Sequence, residues 1–260
     1  MKTYTKESLI DALKDIRNRG WIENHRKGNV GGIGNTLEDL LGIEENNLPI
    51  PNASEWELKS QRLDSTSLTT LFHMEPSPRS MRFVPKILLP KYGWKHELAG
   101  IKYPIDEMSF RQTIHGLSRS DRGFMIIVDK ENKKIMISFD YRFVGINHKE
   151  WLSDVNKKVG LGELHPQPYY GFDDLFHKAG TKLLNTFYVQ ADVKKKDDEE
   201  YYYYNKIFML SGFSFGKFIN AIESGKVLLD FDARTGHNHG TKFRLRQECF
   251  QYLYDNVIEF

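Results

Sequence analysis

Cysteine is nearly absent from this chain of 260 residues, and so is any long apolar run. The single cysteine, Cys249, excludes an internal disulfide framework and fits a reducing compartment. No window approaches the roughly 20 apolar residues that a membrane-spanning helix needs, and the N-terminal MKTYTKESLI has no apolar signal segment. We therefore expect a cytoplasmic protein without a membrane partner.

Net charge is also scarce. The formal charge is only +2, although 28% of the residues are charged, so both signs are interspersed along the chain. Global charge does not identify a partner, and a surface for a polyanion would have to be local. Apolar residues make up 40% of the chain, enough to build the core of one large domain or two small ones.

Apolar periodicity and turn residues predict helices and strands in an irregular order. The predicted helices cover residues 5–19, 35–42, 214–223 and 247–258, and Asn35 is expected to cap the second with Glu38 in a capping box. The predicted strands cover 55–60, 66–73, 227–231 and 243–246, with two hairpins within 124–139 and 183–204. This order predicts a mixed α/β (α+β) fold and no regular βαβ array.

The stretch PNASEWELKS, residues 51–60, has an unusual pattern of charge. In a strand Glu55, Glu57 and Lys59 share one face, while Trp56 and Leu58 point to the other, towards a core. A polar strand at a sheet edge would give the same pattern. Neighbouring carboxylates repel one another, however, and a hard divalent cation such as Mg²⁺ is a physical reason to keep them together.

A lysine beside such carboxylates can orient a water molecule or stabilise charge that develops on a phosphate. The helix upstream offers a further carboxylate, Glu38. An acidic residue followed by E-x-K is the arrangement of a metal-dependent phosphodiester nuclease.

Four longer segments of the sequence carry a more specific signal. The segments GNVGGIGNTLEDLLGIEENNLPIPNASEWELKSQR, SLTTLFH, YYYYN and HNHGTKFR resemble the MvaI and BcnI family of restriction endonucleases, and more distantly the mismatch-repair nicking enzyme MutH. The resemblance implies a PD-(D/E)XK restriction-endonuclease-like core with a central mixed sheet and two lobes that form a DNA cleft. It assigns about 1–75 and the strands from 110–145 to a catalytic lobe, and about 180–246 to a DNA-recognition lobe.

The resemblance also implies an activity. It describes a type II, Mg²⁺-dependent deoxyribonuclease that acts as a monomer on double-stranded DNA at a short G/C-rich site of the CC-x-GG type, nicking the two strands in successive binding events. A cognate DNA methyltransferase would be its functional companion in restriction–modification.

Carried over by motif, Glu57 and Lys59 match the E-x-K pair, and Glu38 matches the acidic residue of the preceding helix. Glu57 and the main-chain carbonyl of Leu58 would ligate the metal, and Lys59 would position the attacking water. Asn52 departs from the family, because it stands where the metal-bridging Asp is expected. An amide oxygen ligates Mg²⁺ more weakly than a carboxylate does.

Two explanations of Asn52 stay open. The chain is either a deliberately inactivated enzyme or a natural variant whose acid is relocated or lost. Glu55 is a candidate substitute for the missing acid.

The segment VLLDFDARTGHNHGTKFRLR combines acidic, basic and histidine side chains. Arg and Lys can read guanine in the major groove, Asp can accept from cytosine, and His can do either, so this mixture suits a G·C-rich site. The alternative is a set of ion pairs on exposed strands. The candidate DNA-binding residues are His73, Asp230, Asp232, Arg234, His237, His239, Lys242 and Arg244.

His73 matches a histidine that one branch of the family uses at the central base pair, and Lys242 stands where that branch has a second histidine. Three functions are compatible with these features. The first is a sequence-specific restriction endonuclease, silenced or not by Asn52. The others are a catalytically silent sequence-specific DNA-binding protein and a MutH-like strand-nicking repair enzyme.

Overall fold

The computed structural model describes residues 4–26, 31–43 and 55–260. The chain divides into two compact units, each assembled from separate stretches of sequence. The first unit comprises Met1–Thr69, His177–Phe215 and Gln247–Phe260, and the second comprises Thr70–Phe176 and Gly216–Arg246. Which unit acts as catalytic lobe and which as recognition lobe stays a prediction.

The helices in the described ranges are α1 Lys6–Asn18, α2 Gly32–Leu41, α3 Leu89–Tyr92, α4 Lys149–Val159, α5 Phe172–Leu183 and α6 Phe215–Glu223. The first helix follows from its sequence. Thr5 and Ser8 form a reciprocal capping box at its start, and the apolar positions Leu9, Leu13 and Ile16 are buried.

The start of α2 differs from the prediction. The helix begins at Gly32 with Gly31 as its N-cap, so Asn35 lies inside the helix and the expected capping box with Glu38 is wrong. The predicted stop is confirmed, because Gly42 adopts the left-handed conformation at φ 65°. Tyr204 fixes the first turn by donating a hydrogen bond to the carbonyl of Ile33 at 2.8 Å.

The first unit is built on a five-stranded mixed sheet. Its strands are β1 Ile22–Glu23, β2 Glu57–Arg62, β9 Asn185–Lys196, β10 Glu199–Phe213 and β14 Tyr254–Glu259. The order is β1-β10-β9-β2, with β14 also paired to β10, and only the β2–β9 pair is parallel. The predicted hairpin of β9 and β10 is confirmed, with Asp197 and Asp198 at positive φ in its turn.

The predicted closing helix at 247–258 is wrong. Two short 3₁₀ turns, Gln247–Cys249 and Gln251–Leu253, lead instead into strand β14. Strand β10 is 15 residues long and its far edge offers unpaired backbone groups, which β14 satisfies from Phe208 to Phe213. Tertiary pairing therefore overrides the helical pattern.

The second unit contains two further sheets. One has the order β3-β13-β11-β5-β4 with β12 paired to β11, and the other has the order β6-β7-β8. Their strands are β3 Thr69–His73, β4 Trp94–Lys95, β5 Met108–Ile114, β6 Arg122–Asp129, β7 Lys134–Val144, β8 Tyr169–Gly171, β11 Val227–Arg234, β12 His237–Asn238 and β13 Lys242–Leu245. The predicted hairpin of β6 and β7 is confirmed. In the described part of the chain no helix is long and apolar enough to span a membrane.

Candidate active site and nucleic-acid interface

Strand β2 separates its polar and apolar side chains as predicted. Trp56 and Leu58 join the apolar core of the first unit, where Trp56 packs on Phe187 with ring centroids 4.7 Å apart. Glu57 and Lys59 share the other face, and Lys59 Nζ lies 2.7 Å from Glu57 Oε1. The strand thus brings the E-x-K pair together.

Glu57 is buried to an extent that its sequence position did not predict. Only 1% of its side chain is exposed. A second ammonium, that of Lys182 in the last turn of α5, lies 2.9 Å from Glu57 Oε2. The carboxylate therefore lies between two cations, which offsets the cost of removing its charge from water.

Lys182 was missed by sequence reasoning. It belongs to no local motif, and it reaches Glu57 only because β9, which directly follows α5, pairs in parallel with β2. In this register Glu57 faces Thr186.

A buried hydroxyl pair lies near the carboxylate. Thr186 Oγ1 and Tyr254 Oη are 2.7 Å apart, and both side chains are buried. Burial raises the pKa of Tyr254, the hydrogen bond with Thr186 opposes that rise, and the negative charge of Glu57 adds to it. Tyr254 therefore stays protonated and adds no second negative charge near Glu57.

Glu38 lies on α2, which packs against β2. A Cβ added at Gly34 would lie 3.4 Å from Ser60 Oγ, so this face of the helix approaches the strand. Glu38 follows Gly34 by one helical turn on the same face, and its side chain is half-buried.

Three predicted positions remain, namely Glu55, Asn52 and Leu58. Glu55 is exposed in the turn before β2, which begins at Glu57, so the prediction that Glu55 belongs to the strand and shares its polar face is wrong. Asn52 lies outside the described residues. Leu58 keeps its side chain in the core, while its backbone belongs to β2.

In the second unit, the predicted DNA-reading residues lie on adjacent strands of one sheet. Asp230, Asp232 and Arg234 alternate along β11, and Lys242 and Arg244 alternate along β13. All five are half-buried, and their apolar neighbours in the two strands are buried. They therefore form one polar sheet face.

These side chains are linked by ion pairs. Arg244 binds Asp230 at 3.1 Å, and Lys242 binds Asp232 at 3.3 Å. Arg111 of β5, which sequence reasoning missed, binds the other oxygen of Asp232 at 2.6 Å. The ion-pair alternative from the sequence thus describes their arrangement in the structure.

The electrostatics of Asp232 follow from these contacts. Burial by itself would raise the pKa of Asp232, but hydrogen bonds from Arg111 and Lys242 outweigh it and hold that pKa below its usual range. Thr113 donates similarly to Asp230 at 2.9 Å. The Asp232 carboxylate therefore stays charged and holds Arg111 and Lys242 beside it.

Arg234 is held differently from the other basic residues. It forms an ion pair with the buried Glu107 at 2.9 Å, and its guanidinium lies 4.6 Å from the centroid of the Tyr103 ring. Glu107 and Tyr103 had no signal in the sequence. They tie the end of β11 to the loop that precedes β5.

The histidines occupy the exposed rim of the same sheet. His237 and His239 lie in the β11–β13 connection and are exposed, as is His73 at the end of β3. A Cβ at Gly240 would lie 3.4 Å from the His73 ring, so the two segments approach closely. Glu75 holds the connection in place by accepting a hydrogen bond from the backbone N–H of Thr241 at 3.0 Å.

Comparison with known proteins agrees with this architecture. The model of the MvaI/BcnI restriction endonuclease family matches residues 10–254. The chain belongs to that family. The structure described as "Restriction endonuclease MvaI-cognate DNA substrate complex" is 25% identical in sequence, with a TM-score of 0.77 and 99% of each chain covered.

A second solved structure, "Restriction endonuclease MvaI in the absence of DNA", is 24% identical with a TM-score of 0.56, covering 100% of this chain and 99% of the other. This second likeness bears on the fold alone. No curated protein matches the sequence.

Family membership confirms the resemblance and the mixed α/β restriction-endonuclease-like fold. The protein is accordingly a sequence-specific DNA endonuclease. The roles of the individual side chains remain proposals.

Proposed function

We propose that this restriction endonuclease hydrolyses phosphodiester bonds of double-stranded DNA with Mg²⁺ at the Glu57–Lys59 site. The observation that carries the proposal is the buried carboxylate of Glu57 between the ammonium groups of Lys59 and Lys182. Burial strengthens the interaction of each of these charges with a phosphate or a cation.

Among the described residues no group of three or more His, Cys, Asp or Glu side chains is placed to hold a metal ion, so the fit to a hard cation rests on individual oxygen atoms. Glu57 Oε2 is buried, and no donor among the described residues is aligned for a hydrogen bond to it. This oxygen and the carbonyl of Leu58 are oxygen ligands of the kind that Mg²⁺ prefers, and Asn52 would supply an amide oxygen. Restriction endonucleases in general use divalent metal ions, which polarise the phosphate and the attacking water when bound.

The chain's own residues then have distinct roles. Lys59 is positioned to orient the attacking water and to stabilise negative charge that develops on the phosphate. Glu38, on the face of α2 that packs against β2, is a candidate to complete the acidic set. Glu57 contributes the negative charge that attracts the metal.

Asn52 bears on whether this chain cuts. With Glu38 included, the charges of Glu57, Lys59 and Lys182 sum to zero, and an Asp at position 52 would make the total negative. A site without net negative charge attracts a divalent cation less strongly, so we infer that Asn52 weakens metal binding and slows cleavage. This favours, as a second candidate, a silent form that binds its DNA sequence without cutting.

The polar face of β11 and β13 is the proposed reading surface. Its guanidinium, ammonium and carboxylate groups are those that pair with G and C in the major groove, which supports a site of the CC-x-GG type. His73, close to the β11–β13 connection, is the candidate for the central base pair. We further infer a cytoplasmic monomer that works alongside a cognate methyltransferase.

Plasmid cleavage in Mg²⁺ tests the proposal. The chain as written and its Asn52→Asp form are incubated with unmethylated plasmid, and the fragment ends are sequenced. We expect cutting by the Asp form at one short G/C-rich site and little or none by the chain as written.

Each other outcome has a definite meaning. Cutting by the chain as written would show that another acid, such as Glu38 or Glu55, replaces Asp. If neither form cuts but both retain a specific DNA site, the silent DNA-binding function replaces the nuclease. If neither cuts nor binds specifically, the proposed site and reading surface are both wrong.

A further inference from the structure

The E-x-K motif accounts for one of the two ammonium groups at Glu57. The other belongs to Lys182, at the point where α5 ends and β9 begins. Its side chain is only 13% exposed, and Nζ lies 2.9 Å from Glu57 Oε2. Burying a lysine costs free energy, and the nearby Glu57 carboxylate offsets part of that cost.

The two oxygens of Glu57 are held unequally. Oε1 faces Lys59 Nζ at 2.7 Å, from a residue two positions along the same strand. Oε2 faces Lys182 at 2.9 Å, but no described donor is aligned for a hydrogen bond to it. Lys182 therefore holds Oε2 through charge, whereas Lys59 is fixed beside Oε1 by the strand itself.

This inequality matters for any cation that approaches the site. A divalent cation held by Oε2 would repel an ammonium that lies 2.9 Å from the same oxygen. Lys182 is the ammonium that faces Oε2, whereas Lys59 faces the other oxygen. A cation at Oε2 would therefore displace Lys182, whose four-carbon stem allows its ammonium to shift.

We propose that Lys182 is a positioning residue that keeps the Glu57 carboxylate oriented in the metal-free protein and gives up Oε2 when a divalent cation binds. The proposal rests on the proposed function, because it takes Glu57 as the metal ligand. It adds a competition between an internal ammonium and Mg²⁺ for one oxygen atom.

The competition has a direct consequence for affinity. Replacing Lys182 with methionine, which has a similar length but no charge, removes both the occupant of Oε2 and a nearby positive charge. Mg²⁺ should then bind more tightly, even though the metal-free protein loses a partner for a buried carboxylate and is less stable.

The experiment measures the melting temperature against Mg²⁺ concentration in the absence of DNA, so that activity is not needed. The Asn52→Asp chain and the chain as written are each compared with their Lys182→Met and Lys182→Arg variants. We expect the Mg²⁺ midpoint to fall by about tenfold in Lys182→Met, which loses one nearby charge. In Lys182→Arg, which keeps the charge, it should stay within about twofold.

Two controls identify the site. Glu57→Gln should abolish the saturable Mg²⁺ effect, and adding Lys182→Met to Glu57→Gln should change nothing further. Lys157→Met removes an exposed lysine that pairs with the surface residue Asp154, and its midpoint should equal that of the parent.

The outcomes separate the two proposals. A saturable Mg²⁺ effect that depends on Glu57 but is the same in Lys182→Met, or weaker there, would overturn the competition while leaving the metal site intact. An equal change in the Met and Arg variants would show a packing role and would also overturn it. If no form responds to Mg²⁺ in a Glu57-dependent way, the metal site of the proposed function fails, and the role of Lys182 fails with it.

If Lys182→Met does not fold, Lys182→Gln supplies an uncharged side chain in its place. The Mg²⁺ midpoint should then fall by the same factor.

Discussion

Lys59 Nζ lies 2.7 Å from Oε1 of Glu57, and the two side chains come from alternate positions of one strand. Because this ammonium is proposed to act on charge that develops during hydrolysis, its loss should affect the reaction and not DNA binding. We expect Lys59→Ala, in whichever form cleaves, to lower the single-turnover rate at least about 100-fold. Gel-shift affinity without divalent ions should change by less than about twofold.

Lys157→Ala serves as the control, because this lysine is 72% exposed on α4. It should leave both rate and affinity unchanged. A large loss of affinity with residual cutting in Lys59→Ala would contradict the proposed role.

Arg244 is expected to read one base pair. It is oriented by Asp230 at 3.1 Å on the polar face of β11 and β13. Arg244→Ala should cost about 1 to 3 kcal/mol of discrimination at one G·C pair, measured by competition binding with singly substituted duplexes. The exposed Arg246 nearby is the matched control, and Arg246→Ala should affect all sequences equally. An equal weakening of every duplex by Arg244→Ala would assign Arg244 to a phosphate.

Salt dependence should report the extent of phosphate contact. If the reading surface tracks duplex DNA, the logarithm of affinity should fall linearly with the logarithm of salt concentration, with a slope of about −0.9 per neutralised phosphate. Fluorescence anisotropy with a specific duplex at increasing salt measures the slope. A flat response would count against a DNA-binding surface.

The stability of the second unit should depend on pH through Asp232. The pKa of this carboxyl is lowered in the folded protein from the ordinary value of 3.8, because hydrogen bonds from Arg111 and Lys242 outweigh the effect of burial. A lowered pKa gives stability that is fully present above 3.8 and is lost as the pH falls through the folded-state pKa. Asp232→Asn removes this contribution.

Urea unfolding of the two proteins at several pH values tests this. The wild-type advantage over Asp232→Asn should shrink as the pH falls from about 5 towards 3. An advantage that is constant with pH would show that the ion pairs of Asp232 contribute nothing to stability.

Tyr204 should stabilise the packing of α2 on the sheet. Its side chain is 1% exposed, and its hydroxyl donates to the carbonyl of Ile33 at 2.8 Å. Tyr204→Phe would leave a buried carbonyl without its donor and should lower the free energy of unfolding by about 1 to 3 kcal/mol. Tyr203→Phe, on the half-exposed face of the same strand, should change it by less than about 0.5 kcal/mol. Equal effects of the two substitutions would contradict the assignment.

The sequence alone determined the local arrangements. Alternation along β2 placed Glu57 beside Lys59 and sent Trp56 to the core, and apolar runs separated by charged turns predicted both hairpins, β6–β7 and β9–β10. These features depend on neighbours in sequence, where the geometry of a strand or a tight turn leaves few choices. The E-x-K pattern and its surrounding segments were also sufficient to predict the family.

Only the tertiary structure decided the features that depend on distant pairing. Strand β14 replaced a predicted helix because the long edge of β10 offered backbone hydrogen bonds to it. Lys182 reached Glu57 because β9 runs parallel to β2. Arg111 reached Asp232 because β5 pairs directly with β11. No local pattern encodes such contacts, since their energy comes from burying and pairing groups that the chain brings together only when it folds.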